Sequence, residues 1–117
     1  MGKLFILIIS VLLYSCSAQF HLNIPIEISS GFRSLQVNKM IGGSKTSQHT
    51  KGEAMDIKIG SKGFNFIKDK LEFDQLIWEF GNDENPSWVH VSYKKGRNRK
   101  QVLKAYKQNG KTKYSSY

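Results

Sequence analysis

The stretch SQHTKGEAMDIKI, residues 47–59, decides how this chain folds. Its second half alternates between apolar positions (Met55, Ile57, Ile59) and small or charged positions (Ala54, Asp56, Lys58). Such alternation predicts a half-buried strand. Gly52 disfavours a helix through the first half. The stretch therefore predicts a loop that carries His49, turns at Gly52 and enters a strand that carries Asp56, so that an imidazole and a carboxylate point toward one spot.

Strand character recurs along the chain. The segments are IPIEISS (24–30), DQLIWEF (74–80), WVHVSY (88–93) and QVLKAYKQNGKTKYSSY (101–117). The last contains Asn109-Gly110, a strong signal for a tight hairpin turn. In the middle two segments alternation places Glu79 and His90 on the polar faces.

Two segments favour helices and complete the predicted fold. RSLQVNKMIGG predicts a short helix that stops at Gly42-Gly43. SKGFNFIKDKLE (61–72) fits a helix capped by Ser61, with Gly63 as its weak point. The order of elements predicts an α+β fold with a small, mostly antiparallel sheet and one or two helices packed on one face.

Composition and charge limit the function. A chain of 117 residues has room for one domain, and its single cysteine excludes a disulfide framework and a multi-cysteine zinc site. The net charge of +9 resides in residues 94–117, which contain nine Lys and Arg and no acid. Such a segment favours polyanions. A solvated basic hairpin at the end of the chain accounts for it somewhat better.

The N-terminus has the layout of a secretory signal peptide. Lys3 precedes an apolar run from Leu4 to Tyr14, and Ala18 is the predicted last residue before cleavage. LYSC resembles a lipobox, which would leave a lipidated Cys16. These features predict a signal at residues 1–18 and a single domain with a basic C-terminal hairpin at 19–117. A buried helix of the domain is the alternative.

His49, Asp56 and His90 form a two-histidine, one-carboxylate set. Catalytic zinc sites commonly use three such ligands and leave a fourth position to water. Zinc lowers the pKa of that water to about 7. On spacing alone, three ordinary polar residues explain the pattern better, because His-x6-Asp is weak and the second histidine lies far along the chain.

The flanking residues add a resemblance. SGFRS (30–34), SQHTKGEAMDI (47–57) and WVHVSY (88–93) together resemble the zinc D-Ala-D-Ala carboxypeptidase family of peptidoglycan peptidases, found in bacteria and phage lysins. The fixed positions of that pattern are Ser30, Gly31, Phe32, Arg33, Ser47, His49, Gly52, Ala54, Asp56, Trp88 and His90. The resemblance covers roughly residues 24–107.

The resemblance implies roles for individual residues. His49, Asp56 and His90 would bind Zn²⁺, and Arg33 would polarise the scissile carbonyl. Ser47 would hold the substrate or the His49 loop, and a turn role is equally compatible. Many relatives place an acid three residues before the last ligand, where this chain has Ser87.

The departure at Ser87 leaves the general base to another carboxylate. Glu79 is the predicted substitute, with Asp83 and Glu84 as weaker candidates. His21 lies outside the motifs and is expected at the surface.

The resemblance implies a zinc metallopeptidase that cleaves peptidoglycan stem peptides, as a D,D-carboxypeptidase or a lysin-type endopeptidase. A catalytically weak, zinc-stabilised wall-binding module is the alternative, and a nucleic-acid-binding protein ranks last. Residues 94–113 are a candidate site for an anionic wall polymer. We expect a monomer that is exported to the periplasm or cell envelope, with a phage lysin without a cleaved signal as the alternative.

Overall fold

Residues 26–117 are described by a computed structural model. The predicted signal, Cys16, Ala18 and His21 lie outside these residues. The elements in chain order are β1 (Glu27–Ser30), α1 (Leu35–Met40), a 3-10 turn (Gln48–Lys51), β2 (Ala54–Lys58), α2 (Gly60–Lys70), β3 (Gln75–Glu79), β4 (Trp88–Ser92), β5 (Gln101–Gln108) and β6 (Lys111–Ser116).

The six strands form one sheet in the order β1-β2-β4-β3-β5-β6. Neighbouring strands are antiparallel except for β3 and β5, which run parallel. The α+β fold with a mostly antiparallel sheet is therefore confirmed. In the described part of the chain, both helices are too short and too polar to cross a membrane.

Pairing at the centre of the sheet brings distant residues together. Asp56 of β2 lies opposite His90 of β4, and His90 lies opposite Ile77 of β3. Glu79 lies opposite Trp88 at the other end of the same strand pair. Directly paired residues point to the same face of a sheet. One face of three adjacent strands therefore displays Asp56, His90 and Glu79.

The opposite face carries the apolar core under α2. Phe64 and Ile67 of α2 are buried with Met55, Leu76 and Val89, as the alternation predicted. The Phe64 ring meets the Trp78 ring edge to face at 5.3 Å between centroids. Burial of each large side chain contributes roughly 1.5–3 kcal/mol. This packing holds the sheet rigid beneath the polar face.

Two sequence predictions about element ends are wrong. Helix α2 begins at Gly60 after Ile59, so Ser61 lies inside the helix and its hydroxyl bonds Asn85 instead of capping. Gly63, which weakened the helix prediction, lies so close to Ile59 that a Cβ there would clash. Strand β1 begins at Glu27, so Ile26 lies outside it, and residues 24 and 25 of the predicted segment are not among the described residues.

The C-terminal hairpin is confirmed. Asn109 and Gly110 connect β5 to β6 with φ of 52° and 73°. Two successive left-handed residues give the tight turn whose twist matches the strands on either side. The hairpin extends the sheet beyond β3. One face of the hairpin therefore continues the sheet face that carries His90.

Candidate metal centre

His49 lies on the 3-10 turn just before β2. Gly52 adopts φ of 69°, a left-handed conformation that allows the chain to reverse from the turn into the strand. The Arg33 amide donates to the His49 carbonyl at 3.0 Å. The predicted loop, turn and strand are confirmed. The hydrogen bond from the Arg33 amide also connects the Arg33 segment to the same turn.

The three predicted ligands converge. His49 Nε2 lies 3.2 Å from Asp56 Oδ1, and His90 Nδ1 lies 3.1 Å from the same oxygen. The two ring nitrogens are 3.1 Å apart. All three side chains are nearly buried, with 5%, 13% and 11% exposed for His49, Asp56 and His90. Tertiary structure thus assembles residues that are up to 41 positions apart.

Hydrogen bonding determines what the His49 ring can offer. Its Nδ1 lies 2.8 Å from the carbonyl oxygen of Gly31, and a carbonyl only accepts, so Nδ1 carries the proton. Nε2 therefore donates to Asp56 when the ring carries both protons, and offers its lone pair when the ring is neutral. Such a second partner orients ligating histidines in known metal sites. Two ring nitrogens and one carboxylate oxygen that converge in this way can bind a cation when the ring protons between them are released.

The spacing of these atoms also fits zinc. Tetrahedral Zn²⁺ with bonds of about 2.0–2.1 Å keeps its ligand atoms about 3.3 Å apart. The three separations here are 3.1, 3.1 and 3.2 Å. Two imidazoles and one carboxylate are also a ligand set that catalytic zinc sites use.

The ionisation of Asp56 matches a ligand role. Burial disfavours the charged carboxylate, but hydrogen bonds from His49 and His90 and the charges of both rings outweigh it. The pKa of Asp56 therefore lies well below its usual value of 3.8. The carboxylate stays charged at neutral pH, as a metal ligand must.

The ligand set lies in a cleft of about 700 Å³. Arg33, Ser47 and Glu79 line the same cleft as the three ligands, so the residues predicted for the site are brought together. The two weaker candidates for the general base, Asp83 and Glu84, do not line the cleft. The Asp83 side chain is 95% exposed and pairs with Lys104, and Glu84 is exposed in the same loop.

Glu79 is held in place by Trp88. The indole Nε1 donates to Glu79 Oε2 at 2.8 Å. Burial raises the pKa of Glu79 above its usual value of 4.5, and the charge of Asp56 adds to this effect, against the opposing influence of His90 and of the Trp88 hydrogen bond. A raised pKa suits a carboxylate that must take up and release a proton.

Arg33 is oriented by a buried amide. Its Nη1 donates to Asn38 Oδ1 at 3.1 Å, and Asn38 Nδ2 donates to the Ser44 carbonyl at 2.8 Å. Ser47 lies at the N-terminal cap of the 3-10 turn without a side-chain capping bond. Its carbonyl accepts from the Thr50 hydroxyl. The substrate role of Ser47 stays a prediction.

The sequence does not indicate the roles of several residues at the site. Trp88 belongs to the motif without a stated function, and Asn38, which holds Arg33 but does not line the cleft, lies in the predicted helix without a distinguishing signal. Tyr114 of β6 also lines the cleft, and burial together with the charges of Glu79 and Asp56 raises its pKa. Only the hairpin register brings Tyr114 opposite Ala105 and onto this face, so no local sequence signal indicates its position.

The fold and the ligand set define a class: a protein with a catalytic-type zinc site on the floor of a cleft. A family profile described as peptidase M15 matches residues 10–92, which is more than half of the chain. The chain therefore belongs to the peptidase M15 family. This confirms the family membership predicted from three short motifs.

One curated relative adds to this. The chain is 45% identical over 40 residues to the zinc D-Ala-D-Ala carboxypeptidase of Streptomyces albus G. The aligned segment covers 34% of this chain and 16% of the Streptomyces protein. The similarity is thus confined to a minor part of that relative.

Proposed function

We propose that this protein is a zinc-dependent peptidase that hydrolyses amide bonds in peptidoglycan stem peptides. The observation that carries the proposal is the convergence of His49 Nε2, Asp56 Oδ1 and His90 Nδ1 within a cleft that Arg33 and Glu79 also line. The name of the Streptomyces relative supports a D-Ala-D-Ala dipeptide end as the substrate. Cleavage as a lysin-type endopeptidase is the alternative for the same site.

His49, Asp56 and His90 would hold the zinc ion. When bound, zinc supplies a Lewis acid that polarises a carbonyl and makes water acidic enough to react near neutral pH. The Gly31 carbonyl keeps the lone pair of His49 directed into the site. These residues therefore need little reorganisation to bind the metal.

Arg33 and Glu79 perform the remaining chemistry. Arg33 donates to the substrate carbonyl oxygen, where negative charge develops, and Asn38 keeps its guanidinium in place. Glu79 takes a proton from the attacking water and passes it to the departing amine. Because Trp88 occupies Oε2, we assign the proton to Oε1.

The experiment uses purified peptidoglycan and an acylated D-Ala-D-Ala peptide, with Glu79→Gln beside the wild type. Glutamine has the same shape and can still accept from Trp88, but it cannot take up a proton. We expect Glu79→Gln to lower kcat by about 10²–10⁴-fold while the zinc content, measured by elemental mass spectrometry, stays near that of the wild type.

Glu84→Gln is the matched control, because Glu84 is an exposed acid outside the cleft. It should cleave at the wild-type rate. If Glu79→Gln cleaves as fast as wild type, Glu79 is not the base. If wild type binds zinc and cleaves neither substrate, the alternative of a zinc-stabilised wall-binding module is favoured, with Ser87 in the usual acid position as its reason.

We further propose that residues 1–18 direct export to the cell envelope and that residues 19–117 act as the peptidase domain. The charged residue Lys3, the apolar run and Ala18 support this. The N-terminus of the protein isolated from cells, determined by mass spectrometry, tests it: a chain that still begins at Met1 contradicts cleavage. A lipid on Cys16 would identify a lipoprotein.

A further inference from the structure

The cleft has a basic end, formed where β2 begins and β4 finishes. The Tyr93 amide donates to the Glu53 carbonyl at 2.9 Å, which places Lys94 beside the segment that contains Lys51. Lys51, Lys94 and Arg97 all line the cleft. The basic C-terminal segment therefore contributes to the cleft itself, as well as to the outer surface.

These three cations differ from the other basic residues nearby. Arg99 also lines the cleft, but its guanidinium is paired with Asp74 at 2.7 Å. Within residues 26–117, no carboxylate lies within ion-pair distance of Lys51, Lys94 or Arg97. Three cations that face one cavity without an ion-pair partner among the described residues repel one another. An anionic ligand would relieve that repulsion.

A second observation at this end also points to a ligand. Glu53 lines the cleft, and its Oε2 is buried without a hydrogen bond from any residue that the structure describes. A buried acceptor that lacks a donor costs roughly 1–3 kcal/mol. A peptide that enters the cleft carries backbone N–H groups, and one of them can supply the missing donor.

The distance from the candidate metal ligands to the basic end of the cleft determines where a bound peptide would have to carry its anionic group. Lys94 follows His90 by four residues, and Glu53 precedes Asp56 by three. At about 3.3 Å per residue in extended chain, the basic end begins roughly 10–13 Å from the metal ligands. A peptide in extended conformation covers that distance with about three residues.

We propose that Lys94 and Arg97, with Lys51, form a subsite for a carboxylate of the substrate two to four residues away from the cleaved bond. The inference rests on the proposed peptidase function and deepens it by naming the substrate class: acidic peptides. A peptide fits better than a wall polymer because the cations lie inside the cleft that contains the metal ligands.

The test compares synthetic peptides that contain Glu or Gln at the second, third or fourth residue from the cleaved bond. We expect wild type to prefer one Glu peptide over its Gln counterpart by about 5- to 20-fold in kcat/KM, as two partly exposed ion pairs can supply. The double variant Lys94→Gln/Arg97→Gln should lose that preference, so that its ratio of kcat/KM for the Glu peptide to kcat/KM for the Gln peptide falls to about 1.

Lys95→Gln is the matched control. Lys95 lies in the same loop and has the same charge, but it does not line the cleft. It should keep the wild-type preference. Equal loss in Lys95→Gln and in the double variant would show a general charge effect and overturn the subsite.

Two outcomes separate this inference from the proposed function. If wild type cleaves Glu and Gln peptides equally, the subsite is rejected and the peptidase function stands. If wild type cleaves no peptide, the peptidase function fails, and titration calorimetry of the same peptides decides on the subsite. Binding without preference for Glu, together with displacement by poly(glycerol phosphate), would assign the cations to a wall polymer.

Discussion

Two aspartates with little exposure, Asp56 within β2 and Asp74 just before β3, are held by different kinds of partner. Asp56 is held by two imidazoles, and Asp74 is held by the Arg99 guanidinium at 2.7 and 2.8 Å and by Gln48 Nε2 at 2.9 Å. Both have a lowered pKa; for Asp74 the main cause is the Arg99 hydrogen bond, and its value falls to about 2.

The difference lies in the donors. Arg99 stays protonated at all ordinary pH values, so the carboxylate of Asp74 is fully occupied and acts as a structural anchor. A ring nitrogen of a neutral imidazole instead presents a lone pair. The partners of Asp56 can therefore bind a metal ion together with it, which the Arg99 guanidinium beside Asp74 cannot do.

The largest expected effect comes from removing one imidazole at Asp56. His49→Ala should lose zinc and reduce cleavage to the level of metal-free protein, because zinc contributes several kcal/mol of transition-state stabilisation. Zinc content and peptide release, measured on the same sample, check this. Gln48→Ala, one residue away, removes only the bond to Asp74 and should still bind zinc, with an affinity lowered by no more than roughly 10-fold. A His49→Ala protein with full zinc content would remove His49 from the ligand set.

The second largest expected effect is a loss of stability when the buried carboxylate of Asp74 is replaced. Asp74→Asn replaces a fully buried carboxylate, and the new amide cannot satisfy both arms of Arg99. We expect the free energy of unfolding in urea to fall by about 2–4 kcal/mol. Because Asp74 also holds Gln48, zinc affinity should fall by roughly 10-fold, in the range seen for outer-shell residues.

Asp69→Asn is the control for that variant, since Asp69 forms an exposed pair with Lys68. It should change stability by less than about 1 kcal/mol. Equal effects of the two substitutions would mean that the Asp74 cluster is no anchor.

The smallest effect is a pH dependence in zinc-free protein. The pKa of Asp74 falls from 3.8 to about 2 on folding. A carboxylate with a lowered pKa stabilises the fold above its unfolded value, and that contribution is lost as pH falls through the folded value. Because the Arg99 side chain is 44% exposed, screening reduces the contribution to about 1–2 kcal/mol.

Wild type should therefore lose more stability than Asp74→Asn between about pH 4 and pH 2. Urea titrations at several pH values measure the two curves. Parallel curves across that range would show that the carboxylate of Asp74 contributes nothing through its charge.

Local signals predicted most of the fold. The alternation in β2, the Asn109-Gly110 turn and the end of α1 before Gly42 all follow from residue size and backbone preference, which act within a few positions. The Ser61 cap was wrong because a competing side chain, Asn85, comes from a distant loop. Nothing near Ser61 in the sequence indicates that contact.

The sequence by itself determined the strands and the hairpin, and it predicted the three candidate ligands through motifs that resemble a known family. Tertiary structure alone decided that Glu79 rests against Trp88, that Asp74 anchors the His49 turn, and that Lys94 and Arg97 enter the cleft. The physical reason is the distance along the chain over which each interaction acts. Backbone preference and alternation act between neighbours along the chain, whereas these contacts depend on strand order and on loops that meet only after the sheet has formed.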